Sequence, residues 1–149
     1  MTAPGNNFNT QTKLTLVAGL IGLALVYVFQ RFNYGLMILQ VLGIEAGENG
    51  IFIVNKTLRL LINDTLGCMM IFAVFKEKKE RQIALAIFLV ELIVILPIYL
   101  FMKLAWEGTG EISSPLLSFI HRLVVNPTLM VMTGIALAYQ KFVYPNLHR

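Results

Sequence analysis

The chain has 149 residues, 57% of them hydrophobic and 13% charged, with a mean hydropathy of +0.73. A soluble domain of this size has too little interior to hide so much apolar surface, which excludes an ordinary water-soluble globule and points to an integral membrane protein. The basic residues behind the net charge of +4 are spread along the chain, which excludes a nucleic-acid face, and the single cysteine, Cys68, excludes an internal disulfide framework and a Cys-rich metal site.

Residues 1–13, MTAPGNNFNTQTK, are polar and predict a flexible N-terminal segment. The segment lacks the basic start of a signal peptide, and no small-x-small cleavage site follows the first apolar run, which therefore reads as a retained signal-anchor helix. That first span covers about residues 14–30. Its Ala18 and Gly22 stand one turn apart, on a face suited to close helix packing. In the outer loop that follows, YGLMILQVLGI spaces its bulky residues as an amphipathic interfacial segment, and EAGENG breaks it. The second span covers about 53–75. KEKKER then makes a charged turn, and the third span covers about 83–103, with a kink expected at Pro97. WEGTGEISSP is a short second outer loop with Trp106 as an interfacial anchor, the fourth span covers about 117–140, and 144–149 is a short tail. The expected fold is an all-α integral membrane protein: one domain, 14–143, forming a four-transmembrane-helix bundle.

Lysine and arginine set the expected orientation. With the N-terminus in the cytoplasm, the inside receives Lys13, Lys76, Lys78, Lys79, Arg81, Lys141 and Arg149. The outside receives Arg31 and Lys103 with Glu45, Glu48, Glu107 and Glu111. The positive-inside rule thus predicts both termini cytoplasmic.

A hydrocarbon core of about 30 Å needs about 20 helical residues. The second span reaches that length only by carrying Arg59 and Asp64 into or near the membrane. With the predicted orientation, Arg59 and Arg122 lie in the outer parts of spans two and four, at similar depth. Each is followed four residues later by an asparagine, Asn63 and Asn126, a spacing that puts each pair on one helix face. Such residues face the bundle interior or a water-filled cavity, or snorkel to the interface. The first arrangement makes an outward-facing polar pocket for an anionic group, with Arg59, Asn63, Arg122 and Asn126 as ligands and Lys56, Asp64, Glu91 and His121 in support. In the second, the arginines reach the headgroups and Asp64 neutralises one of them. Asn126 also precedes Pro127 and is placed to satisfy a carbonyl that the proline frees. Glu91, in the middle of span three, has no partner in its own helix. Cys68 lies deeper than His121, two histidines make neither a haem nor a metal site, and no phosphate-binding, zinc-protease or nucleophile-elbow motif is present. No catalytic residue, metal or cofactor is expected.

Two blocks carry a resemblance to a known family. RLLINDTLGCMMIFAVFKEKKERQIALAIFLVELIVILPIYLFM and FIHRLVVNPTLMVMTGIALAYQKF resemble the small membrane proteins encoded beside exosortases in Bacteroidota, in particular the exosortase F system-associated family. The matching positions include Arg59, Asn63, Arg122, Pro127, Tyr139 and Gln140, within about the last two-thirds of the chain. The resemblance implies a partner, an exosortase-like sorting enzyme or its exported substrate, and implies no catalysis by this chain itself. The expected function is a non-enzymatic accessory subunit of a membrane protein-sorting system. The alternatives are a small homo-oligomeric transporter or channel-like protein using Glu91 and the arginines, and a membrane enzyme using Cys68, His121 and an arginine.

Overall fold

The computed structural model describes residues 9–110 and 114–143. Residues 1–8 of the expected flexible segment, Glu111 and the expected tail with His148 and Arg149 lie outside the described residues. Among the described residues the chain is helical throughout and has no strand. Three helical stretches are long and apolar enough to cross a membrane, and a bent pair makes a fourth if it counts as one span.

Helix α1 spans Thr10–Val28. It starts earlier than the composition of its first residues suggests, because Thr12 is buried and its hydroxyl donates to the Ala73 carbonyl at 3.3 Å. Residues 10–13 are therefore helix and not part of a flexible segment. The small residues that seat α1 are Gly19 and Gly22, while Ala18 faces outward. A Cβ at Gly19 would lie 2.5 Å from the Met70 side chain, and one at Gly22 would lie 3.0 Å from Leu66. The close-packing face is thus one residue away from the one expected, because the helix turns about 100° per residue and the contact follows the i, i+3 row.

Helix α2 (Tyr34–Val41) is the short segment expected between the first two spans. Asn55 pins it to the next helix. The Gly35 amide donates to Asn55 Oδ1 at 2.7 Å, and Asn55 Nδ2 donates to Asn33 Oδ1 at 3.2 Å. A Cβ at position 35 would meet the Ile51 carbonyl at 3.0 Å, so the approach requires glycine.

Helix α3 (Glu48–Val74) is the central element, 27 residues or about 40 Å long. It packs against each of the other six α-helices. Glu48 in its first turn complements the helix dipole. At its other end the chain turns sharply through Phe75, and the Arg81 guanidinium donates back to the Phe75 and Phe72 carbonyls at 3.2 and 3.4 Å. KEKKER is therefore less of a loop than expected, since α4 (Lys78–Val90) begins inside it. Lys141 joins this end of the bundle by ion pairs of 3.0 Å to both Glu77 and Glu80.

The third long helix runs from α4 through a π-helical turn, Glu91–Ile95, into α5 (Leu96–Trp106). The wide turn lies just ahead of Pro97, which cannot donate to the carbonyl four residues back. Adding a residue to the turn absorbs that defect. The expected fourth span is broken. Helix α6 (Pro115–Val125) and α7 (Thr128–Ala138), which runs on into a π turn at Tyr139–Val143, bend by 64° at Asn126 and Pro127. A residue before proline is pushed out of the helical region, and Asn126 is extended at φ −102°, ψ 147°.

Two apolar clusters flank the middle of α3. One gathers Leu60, Leu96, Tyr99, Leu117, Val124 and Val125, and the other Cys68, Ile71, Phe75, Ala84, Met130 and Leu137. Gly67 lets α7 approach, because a Cβ there would lie 2.9 Å from Met130 Cβ. Large apolar side chains also point outward, among them Phe101 at 74% and Ile135 at 64% exposure. A surface of this kind suits a hydrocarbon surrounding and not water.

Candidate functional site

Helical periodicity brings the polar residues of three helices to one end of the bundle. On α3, Phe52, Asn55, Lys56 and Arg59 recur at three- and four-residue steps and so share a face. Tyr99 and Lys103 do the same on α5, as do Ser118, His121 and Arg122 on α6. Together with residues 30–33 after α1, they line an open cavity of about 790 Å³. Five cationic side chains belong to this lining: Arg31, Lys56, Arg59, Lys103 and Arg122. Among the described residues, no carboxylate does.

The walls are held by specific contacts. Lys103 is buried, with its ammonium 2.8 Å from Glu107 Oε2 one turn further on. The other oxygen of Glu107 accepts the Ser114 amide at 2.7 Å, which ties the start of α6 to the end of α5. Tyr99 Oη and His121 Nδ1 lie 2.7 Å apart, in a hydrogen bond whose direction the imidazole tautomer sets. Lys56 lies over the Phe52 ring, 5.1 Å from its centre. Among the described residues, the guanidinium groups of Arg59, half-buried, and Arg122, exposed, make no hydrogen bond and no ion pair. A cleft lined by one sign of charge focuses its field on the opening, so an anion entering it gains attraction from several side chains at once.

The asparagines lie elsewhere. Asn63 is buried and donates to the Val125 carbonyl at 2.7 Å, at the break between α6 and α7. The carbonyl left over at the break is thus satisfied from α3 rather than by Asn126. Asn126 lies beyond the end of α6, so it does not share a helix face with Arg122. Asn63 and Asn126 line a second, smaller crevice of about 50 Å³ with Leu23, Val26, Val125 and Pro127. Arg59 and Gln30 line both spaces.

Asp64 and Glu91 are also outside the basic cavity. Both are buried, at 2% and 1% exposure, and their carboxyl groups lie near each other between α3 and the π turn. Asp64 Oδ2 and both carboxyl oxygens of Glu91 face no donor group of the chain. Neither residue pairs with an arginine among the described residues, because Arg59 and Asp64, five positions apart on α3, leave the helix in different directions. Cys68 directs its sulfur towards the Ala84 carbonyl at 4.0 Å, in the apolar cluster on the other half of α3 from His121. Among the described residues, no three His, Cys, Asp or Glu side chains group to hold a metal.

Sequence reasoning missed Tyr99, and it took Lys103 and Arg31 only as charges on the outer side that set the orientation. The four-residue step from Tyr99 to Lys103, ahead of the Glu107 that holds Lys103, was a usable signal. No protein-family model, no curated protein and no solved structure matches this chain. The functional reading rests on the residues themselves.

Proposed function

We propose that the chain is a non-enzymatic accessory subunit of a bacterial inner-membrane protein-sorting system of the exosortase type, with its basic cavity facing the periplasm to hold an anionic group of a lipid or a peptide. The observation that carries the binding part is the cavity lined by five cations, in which the Arg59 and Arg122 guanidinium groups make no hydrogen bond or ion pair among the described residues. Guanidinium groups left unengaged in an open cleft of one sign of charge are available to an entering anion. The facing of the cavity follows the lysine and arginine count, which also supports both termini in the cytoplasm and four spans with the bent pair as the last. The sorting context follows from the resemblance of the two sequence blocks around Arg59 and Arg122. A transporter using Glu91 gains no support from the cavity, whose lining does not include that residue.

Two measurements test this reading. Tagged chain purified in mild detergent from native membranes is expected to bring down a larger membrane protein. Recovery of only monomer or homo-oligomer, in conditions that keep known complexes intact, overturns the accessory role. Titration of the purified chain with inorganic phosphate is expected to show saturable binding that Arg59→Gln weakens. Absence of binding to phosphate, to phospholipid and to a peptide carboxylate alike overturns the anion site.

A further inference from the structure

The geometry points to the phosphate headgroup of a membrane lipid as the occupant of the basic cavity, with the lipid chain leaving sideways through the crevice between α1 and the break at Asn126 and Pro127. This deepens the anion-site reading and rests on it. Three observations carry it, and they concern charge, lining and position.

Charge comes first. Arg59 and Arg122 come from different helices and line the same cavity with neither guanidinium engaged among the described residues, and Arg31 adds a third guanidinium to the lining. A single carboxylate leaves most of that charge uncompensated. A phosphate offers two charges and several acceptor oxygens, enough for bidentate contact with more than one arginine.

Lining comes second. Arg59 and Gln30 line both the crevice and the cavity, and the rest of the crevice wall is Leu23, Val26, Tyr27, Val125 and Pro127 with the asparagines Asn63 and Asn126. Its buried amide, Asn63, is already spent on the Val125 carbonyl. A peptide passing this way would carry amide and carbonyl groups with little to satisfy them, at a cost of several kcal/mol per group away from water. A hydrocarbon chain has none to satisfy. The volume of about 50 Å³ is a slot for the first carbons of one chain and not for a whole tail.

Position comes third. Tyr27 lines the crevice and is 67% exposed, so the crevice reaches the outer surface of α1. A headgroup entering there reaches Arg59 while its chains stay in the surrounding hydrocarbon. An inorganic ion has no use for such a side opening.

The test is lipid retention in nanodiscs of a zwitterionic phospholipid doped with phosphatidic acid, read by native mass spectrometry after release into detergent. Inorganic phosphate and a short apolar peptide with a free C-terminus serve as competitors. Wild type is expected to retain one phosphatidic acid per chain in the presence of millimolar phosphate. Arg59→Gln is expected to lower retention by about tenfold, the loss of one charge-assisted contact. Val26→Trp, which fills the slot and removes no cation, is expected to lower lipid retention while leaving inorganic phosphate binding within about twofold of wild type, since every charge-assisted contact keeps its side chain. Arg59→Lys and Leu23→Trp give second versions of each change, and circular dichroism checks that every variant compared is folded.

Phosphate binding that is equal in wild type and the slot-filling variants, with no retained lipid, overturns the lipid inference and leaves the anion site standing. Retention that Arg59→Gln does not alter marks the lipid as annular and overturns the inference too. Displacement by the peptide carboxylate, in place of lipid retention, assigns the site to peptide and overturns it. Failure of all three probes removes the anion site itself.

Discussion

The two halves of α3 treat charge in opposite ways. Its first half presents Lys56 and Arg59 to an open cavity that gathers further cations from α5 and α6. Its second half carries Asp64 into a sealed contact with Glu91, where three carboxyl oxygens meet no donor of the chain. The difference lies in access. An open site keeps its charges hydrated and lends them to a visitor, whereas a sealed pair of like groups has no water around it to take up charge. The first arrangement is suited to binding and the second to fixing how helices meet.

Substitutions that affect one half and spare the other sharpen this contrast. The largest effect is expected from Glu91→Ala, which leaves a cavity at the π turn and deprives Asp64 of its neighbour. Thermal or denaturant unfolding in detergent is expected to show a loss of about 2–4 kcal/mol, with phosphate affinity within about twofold of wild type. Glu91→Gln supplies a donor to Asp64 and is expected to stay near wild-type stability. Equal damage by Gln and Ala would break the contrast, since it would mean that the carboxyl acts beyond its place in the packing.

Arg59→Gln is expected to do the reverse. Calorimetric titration should show phosphate binding weakened by about tenfold, which is about 1.4 kcal/mol, with the unfolding transition barely moved. Asn63→Ala tests the border between the halves. It strips the Val125 carbonyl of its donor, and hydrogen bonds of this kind between membrane helices average about 0.6 kcal/mol with a maximum near 1.7. A stability loss of about 1 kcal/mol is therefore expected, with a looser angle between α6 and α7 readable by spin-label distances. The smallest effect is that of salt. Raising ionic strength from about 0.01 to 0.15 M shortens the screening length from about 30 to 8 Å, so phosphate binding should weaken several-fold while unfolding stability holds.

Much of this contrast was legible in the sequence. The placement and orientation of the spans put Arg59 and Arg122 at similar expected depths, and both line one cavity. Glu91 stood out as a carboxylate with nothing beside it in its own helix. What the sequence did not reveal depends on long-range geometry. Asn63 finds its acceptor 62 residues away, at a break that proline makes foreseeable in kind but not in direction. The pairing of Asp64 with Glu91 rather than with an arginine depends on the rotation of one helix against another. Lys103 reads as a loop charge until α5 is seen to extend to Trp106. The glycine face on α1 was misplaced by one position because several small residues lie side by side, and composition does not say which of them faces the partner.

The π turn at Glu91–Ile95 has a consequence for how this chain tolerates insertions and deletions. One added residue in a helix rotates everything beyond it by about 100°. Glu91 and the pair Tyr99 and Lys103 therefore meet different partners through a single offset placed between them. Removing one residue from the turn would leave a continuous helix of nearly the same length and apolarity. It would also swing the Tyr99 hydroxyl away from His121 and Lys103 out of the cavity wall. The bulge thus works as a frame setting for the helix, and both ends are in phase with their neighbours only while it is there.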